Sequence, residues 1–416
     1  MPPAVPDVRM KGFTHRATVA DALALIHARV SPLPAERCAL PRLADRILAE
    51  SIASPVDLPG FPRSAMDGYA IRSPVQSEQP LTIIGQAFPG RPFLGEVLPG
   101  QAVRIMTGAP IPAGADGVVP VEQTQQREGS PSTVQVKEAV PPGKHCIRVG
   151  EDVTAGQPLF AAGRRLRPQD LGLLAAVGLA EVAVVRQPGV ALCITGEELL
   201  PPGSTPSGFS IIDCNSPMLT ALIERDGGKV TELHRVPDQP DALRRAVAES
   251  TADLLLITGG TSVGSEDYAP AIIAELGELP IHGIALRPAA PTGIGFLPEN
   301  RPVILLPGNP VSCLCAYDLF AGRALRQLGG RDPDWPYPQQ SAILRQEIVS
   351  VVGRVDYLRV IESAGEVEPI RAGASNLSST VFASGFLLVP AEQERILAGQ
   401  SVTWYCYDVH TTRRNK

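Results

Sequence analysis

At 416 residues, with 44% apolar and 19% charged side chains, the sequence is that of a folded protein of several domains, not a disordered chain. The net charge of −6 and the absence of a long basic run exclude nucleic acid as an electrostatically favoured partner. Cys38, Cys146, Cys193, Cys214, Cys313, Cys315 and Cys406 are scattered, odd in number and without a CxxC pair, which excludes a disulfide framework or zinc site. That cysteine usage fits a cytoplasmic location. Met1–Met10 has no apolar core of the signal-peptide kind and no apolar run is long enough for a membrane span, so no membrane role is expected.

In chain order, Val19, Leu23, Ile26 and Val30 keep helical spacing and predict an amphipathic helix over Thr18–Val30. A second helix is predicted through Leu43–Ser51. From Pro59 to Val140, short β-type runs (Leu81–Ile84, Ala102–Ile105, Gly117–Val121, Thr133–Val136) are punctuated by Pro and Gly, as in an all-β module. A helix follows near Gln169–Val177. Just before it, Arg164-Arg165-Leu166-Arg167 is the densest positive patch and reads as a solvated loop. Beyond Arg186 strands and helices alternate. The predicted strands are Val190–Ile194, Val230–Arg235, Asp253–Ile257 and Val303–Leu306; the predicted helices are Pro217–Glu224, Asp241–Ala248, Ala269–Leu276 and Val311–Leu325. That alternation predicts a parallel sheet with crossover helices on both faces. Gly330–Pro336 reads as a linker, and the remaining residues suit a small β-barrel. The expected architecture is therefore α/β and multidomain. Residues 1–58 with 146–186 form a mixed N-terminal domain, 59–145 an inserted β-rich module, 187–330 the parallel α/β domain and 331–416 the C-terminal β-barrel.

Three loops directly follow predicted parallel strands, where ligands bind in open α/β sheets. Thr195-Gly196-Glu197-Glu198-Leu199 places paired carboxylates at a strand end. Gly259-Gly260-Thr261-Ser262-Val263-Gly264-Ser265-Glu266-Asp267 combines glycines suited to a phosphate cradle with hydroxyl donors, and Glu266 and Asp267 could hold a divalent cation. In Pro307-Gly308-Asn309-Pro310-Val311-Ser312, Asn309 is expected to cap a helix whose free N–H groups form an anion site. Each loop alone is also an ordinary structural turn; the three together describe a phosphate-bearing ligand with a magnesium-type ion. Asp238, just ahead of Gln239-Pro240, fits a helix N-cap.

Ser64-Ala65-Met66-Asp67-Gly68-Tyr69-Ala70 resembles the signature of the molybdopterin molybdenumtransferases, the family that includes the E domain of gephyrin. So do, in the family's order, Ile105-Met106-Thr107-Gly108-Ala109, Gly114-Ala115-Asp116, Gly150-Glu151-Asp152, the Thr195–Leu199 loop, Asp213-Cys214-Asn215-Ser216 and the two later loops. The likeness runs over essentially the whole chain. It implies a four-part subunit, a homodimer with the active site at the subunit interface, and a 187–330 domain that binds molybdopterin. It also implies a reaction: adenylylated molybdopterin takes molybdenum from molybdate in the presence of a divalent cation such as magnesium, and AMP leaves. By resemblance Glu198, Asp238 and Asp267 lie near metal and pyrophosphate, with Glu198 and Asp267 as the metal ligands. Asp67 and Thr107 come from the β module across the dimer, and Asp152 is a further functional carboxylate. Asn215, Ser216, Gly259, Gly260, Ser262, Gly264, Gly308, Asn309, Pro310 and Ser312 form the nucleotide and pterin cradle. Arg354 and Ser375 belong to the family's basic and serine-rich elements in the last domain. The implied partners are a molybdopterin adenylyltransferase and the cofactor-dependent molybdoenzymes.

The family carries Lys-Pro-Gly-Lys-Pro, with another lysine four positions upstream, where this chain reads Gly283-Ile284-Ala285-Leu286-Arg287-Pro288-Ala289-Ala290-Pro291. Gly283, Arg287 and Ala290 occupy the three lysine positions. Arg287 keeps charge but not shape, and Arg287, Arg354 and Arg359 are the candidates to compensate. Two functions follow: a molybdenumtransferase with a modified oxyanion site, and a non-catalytic paralogue that binds or delivers the cofactor. A third, a damage-inducible nucleotide-cleaving relative sharing the α/β domain, explains Thr195–Leu199 and Asn215-Ser216 but not Ser64–Ala70.

Overall fold

The computed structural model describes residues 13, 15–129, 131–262, 264 and 267–407. They form two compact units: 37–44 with 48–183, and 45–47 with the described residues of 1–36 and 184–416.

The first unit is built on a six-stranded sheet in the order Gly117–Pro120, Gly68–Ile71, Gln101–Ile105, Pro80–Ala87, Thr133–Val136, Thr124–Arg127. Alternation along the strands covers both faces. Tyr69, Ile71 and Val119 pack on one side, and Ala70, Val103 and Val118 on the other. Gly68 is needed for the central pairing, because a Cβ there would lie 1.8 Å from the Val119 carbonyl oxygen. The basic patch is not simply solvated. Arg164 and Arg167 both bind Asp170 on the first turn of the Pro168–Ala176 helix, at 2.9 and 3.1 Å, and Asp170 is buried. A buried carboxylate there needs such pairing.

The helix predicted over Leu43–Ser51 does not form. Leu43, Ile47 and Leu48 are buried at a helix-like spacing, but Asp45 has a φ of 66°. The backbone N–H groups of Leu48 and Ala49 are donated to the Arg164 and Ala183 carbonyls instead. Long-range backbone pairing has replaced the local kind.

In the second unit, Thr18 and Asp21 make a reciprocal capping box that starts the Val19–Arg29 helix, which buries Ala22 and Ile26. The sheet order is Lys229–Val236, Gly189–Thr195, Leu254–Thr258, Arg301–Leu306, Gly293–Leu297, Glu278–His282. The first four strands are parallel, as expected. The last two are antiparallel, which corrects the expectation of a wholly parallel sheet. Only Pro298–Asn300 separates the Gly293–Leu297 and Arg301–Leu306 strands. A link that short closes only an antiparallel pair. Helices cover both faces. Leu192, Leu254 and Ile304 face a core shared with the Asn215–Arg225 helix and the 310–328 helical run, while Ala191, Leu255 and Val303 face the Pro240–Glu249 and Ala269–Leu276 helices.

The helical run after Pro310 is α-helical to Ala316, π-helical over Tyr317–Ala321 and α-helical again over Gly322–Leu328. The widened turn carries Tyr317 and Asp318 into the interior. There Asp226 and Asp318 meet Arg225 and Arg326 in a buried ionic network. Burial raises the Asp318 carboxyl to about 6 despite the opposing Arg225 charge.

The C-terminal part of this unit is a closed five-stranded barrel. Val355–Ser363 pairs with Glu366–Pro369 and with Gly385–Val389, and the circle is completed through Gln339–Leu344 and Ser401–Cys406. Leu344, Val360, Leu387 and Trp404 fill its interior. Leu286–Arg287 adds in parallel to the barrel strand at Val355–Asp356.

Candidate functional site: a crevice at the strand ends

The three singled-out loops follow Gly189–Thr195, Leu254–Thr258 and Arg301–Leu306, which are adjacent parallel strands. The structure knits the loops together. Asn215 Nδ2 donates to Thr258 Oγ1 at 3.2 Å and to the Gly308 carbonyl at 2.8 Å, while its buried Oδ1 has no partner among the described residues. Thr261 Oγ1 donates to the Leu306 carbonyl at 3.0 Å. Gly259 has a φ of 85°, and a Cβ there would sit 2.4 Å from the Thr195 carbonyl oxygen. The glycine-rich turn therefore lies directly against the first loop, an approach that a side chain at this position would block. Gly260 is also left-handed, at 58°. Gly264 N–H donates to Asp267 Oδ2 at 2.5 Å. Ser262 is part of the same turn, whereas Val263, Ser265 and Glu266 lie outside the described residues.

Ser216 is buried, and its N–H and hydroxyl both bind Asp213, at 3.0 and 2.5 Å. It positions the Asn215 turn. Asp238 is not the helix cap: Gln239 flanks the Pro240–Glu249 helix, and Asp238 Oδ2 accepts the Glu197 N–H at 3.2 Å. That bond ties the first loop to the end of the edge strand. Asn309 does not cap with its side chain either. Its Oδ1 accepts from Ser375 Oγ at 2.9 Å, and the Val311 N–H is donated to Ala374 at 3.1 Å. Pro310 has no N–H to offer. One of the N–H groups expected to form an anion site at this helix start, beside Ser312, is thus taken up by the serine-rich loop of the barrel. His282, which the sequence reading missed, is bound through Nε2 to the Thr261 carbonyl and packed edge-on against Phe13. Burial holds its pKa below the usual value.

Glu198 is exposed and makes no side-chain hydrogen bond to a described residue, and Asp267 stands on the next loop. Among the described residues no three His, Cys, Asp or Glu side chains converge as a metal cage. Two separate carboxylates do suit a magnesium ion that takes its other ligands from phosphate and water.

Arg287 and Arg354 both bind Asp356, which is fully buried; Arg354 does so at 3.1 Å, and Ser350 adds a bond at 2.8 Å. Beside them opens a cavity of about 560 Å³ whose wall includes Arg287, Tyr357, Arg359 and Arg371. Asp356 and Arg371 escaped the sequence reading, because only the barrel pairing brings them to Arg287.

In the other unit, Asp67 Oδ1 accepts the Thr107 N–H at 2.6 Å and the Thr107 hydroxyl at 2.7 Å. Those two bonds hold the Asp67 carboxyl below the usual carboxylate range. The structure thus joins this predicted pair. Asp152 is exposed, and its backbone N–H is donated to the Leu58 carbonyl.

A covered α/β sheet with a glycine-rich turn at its strand ends, followed by a closed β-barrel, sets the class of protein: a multidomain α/β fold of the MoeA kind. Three family models agree: the MoeA N-terminal region (domain I and II) matches residues 17–178, the probable molybdopterin binding domain 191–327 and the MoeA C-terminal region (domain IV) 341–407. The chain belongs to the molybdopterin molybdenumtransferase (MoeA) family. It is 36% identical to the molybdopterin molybdenumtransferase of Haemophilus influenzae, over 89% of this chain and 94% of the relative. It is 35% identical to that of Synechococcus elongatus, over 92% and 97%. A crystal structure of the molybdopterin biosynthesis MoeA protein from Pyrococcus horikoshii superposes with a TM-score of 0.77 at 30% identity, covering 95% of this chain and all of that one. The family places the chain in molybdenum cofactor biosynthesis, in a transferase role. No described helix is long and apolar enough to cross a membrane.

Proposed function

We propose that this chain transfers molybdenum from molybdate to adenylylated molybdopterin and releases AMP. The observation that carries the reading is the junction of three strand-end loops through Asn215, Thr258, Gly259 and Gly308. It offers close backbone approach to a phosphate-bearing ligand, with carboxylates Glu198 and Asp267 on the loops beside it. Magnesium held by these two carboxylates would neutralise phosphate charge. Asp238 and Ser216 position the loops, and a molybdate oxygen serves as nucleophile, so no protein nucleophile is required. Incubating purified protein with adenylylated molybdopterin, magnesium and molybdate should release AMP. Absence of release in saturating molybdate would count against the transfer reading.

The reading includes a homodimer whose site is completed by Asp67 and Thr107 of the other subunit, with Asp152 as a further functional carboxylate, acting in the cytoplasm between a molybdopterin adenylyltransferase and the molybdoenzymes. Mixing inactive Asp67→Asn subunits with inactive Asp267→Ala subunits should then restore part of the AMP release. Verified heterodimers with no recovery would show that the site is not shared.

One observation favours the carrier reading. Arg287 and Arg354 are both committed to Asp356, and the other two lysine positions hold Gly283 and Ala290. A carrier would bind the pterin tightly and never release AMP.

A further inference from the structure

The cavity beside the barrel is walled by three arginines, two of which are already engaged. Arg287 is held by Asp356. Arg359 gives Nη1 to Ser379 Oγ at 2.5 Å and Nη2 to the Ala372 carbonyl at 2.6 Å, and its Nε is buried without a partner among the described residues. The carboxylate of the lining, Glu347, is paired with Arg395 at 3.0 Å. Arg371 differs. It is exposed and makes no hydrogen bond or ion pair with any described residue. Its backbone is nevertheless pinned on both sides by Arg359: Ile370 N–H is donated to the Arg359 carbonyl at 2.8 Å, and the Ala372 carbonyl accepts the Arg359 guanidinium. A fixed backbone with a free cationic side chain at the wall of a positive cavity is an arrangement for capturing an anion.

We propose that Arg371 is the residue that captures a tetrahedral oxyanion in this cavity, supplying the charge-assisted contacts that Arg287, spent on Asp356, cannot give. The inference rests on the transfer reading, in which molybdate and the phosphate of AMP are the two tetrahedral anions at hand. The buried Arg359 Nε is a fixed second donor at the same wall, and the planar Arg371 fork can take two oxygens of one anion.

The test is direct binding, independent of turnover. The full-length protein is titrated with sodium molybdate alone and, separately, with AMP, as wild type, Arg371→Ala and Arg371→Lys. Loss of one exposed charge-assisted contact should weaken molybdate about tenfold in Arg371→Ala, with partial rescue in Arg371→Lys and thermal unfolding unchanged. A parallel loss for AMP would identify phosphate as the anion taken; a loss confined to molybdate would identify the free oxyanion. Wild type and Arg371→Ala binding both anions equally would overturn the inference, as would a wild type that binds neither, or a loss in both variants that tracks a lowered unfolding temperature. If binding depends on Arg371 but wild type releases no AMP from adenylylated molybdopterin, the transfer reading fails and this inference stands.

Discussion

Asp226→Ala is expected to lower the stability of the protein by about 3–5 kcal/mol, more than any substitution in the strand-end crevice. Asp226 is 2% exposed; it accepts hydrogen bonds from Arg225 at 2.9 Å and from the Tyr317 hydroxyl at 3.1 Å, and it forms an ion pair with Arg326 at 2.9 Å. Arg326 is itself 4% exposed. Removing the carboxylate leaves the buried Arg326 and the half-buried Arg225 guanidinium groups with Asp318 as the one carboxylate of the network among the described residues, and an uncompensated buried charge costs far more than a lost surface contact. The π-helical turn brings Asp318 into this network, so the damage should spread to the packing between the sheet and the barrel, where Tyr337 and Tyr357 both reach Asp318. Chemical denaturation followed by the near-ultraviolet signal of the buried aromatics would measure it. A loss below about 1 kcal/mol would mean that solvent reaches the network in solution.

Glu198→Ala and Asp267→Ala should each reduce AMP release on the order of 100-fold or more while leaving thermal unfolding within experimental error of wild type. The separation follows from where the side chains stand. Glu198 is exposed with no hydrogen bond to a described residue, so its removal costs the fold little. Asp267 holds only the Gly264 N–H among the bonds in the described turn. If both serve the same ion, the double variant should be barely worse than either single one, because residues acting as a unit are not additive. Parallel losses of activity and stability would place the carboxylates in the structure of the loops instead.

Much of the site was legible because its signals are local. Leu254–Ile257 is an unbroken apolar run buried on both faces, and the glycines after it mark the turn directly. The Ala269–Leu276 helix was read to the residue. The unread parts are long-range. The 278–297 hairpin is broken in its pattern by Gly293 and Gly295, and its direction is decided by the shortness of the turn at Pro298–Asn300. Asn309 looked like a helix cap because Pro310 follows it, yet its side chain is taken by Ser375, 66 residues away. Arg287 looked like a free substitute for lysine, yet it is spent on Asp356, 69 residues away. Side-chain commitment of this kind has no period and no local spacing, so a linear reading sees the charge but not its partner.

In the proposed transfer, the strand-end loops couple loss of AMP to gain of metal. The most direct measurement is a single-turnover reaction of the wild-type protein with adenylylated molybdopterin, magnesium and labelled molybdate, counting molybdenum retained on the pterin for each AMP released. Transfer predicts a ratio near one, with AMP release falling away when molybdate is withheld. AMP released at the same rate without molybdate, or pterin bound tightly with neither AMP freed nor metal retained, would contradict it.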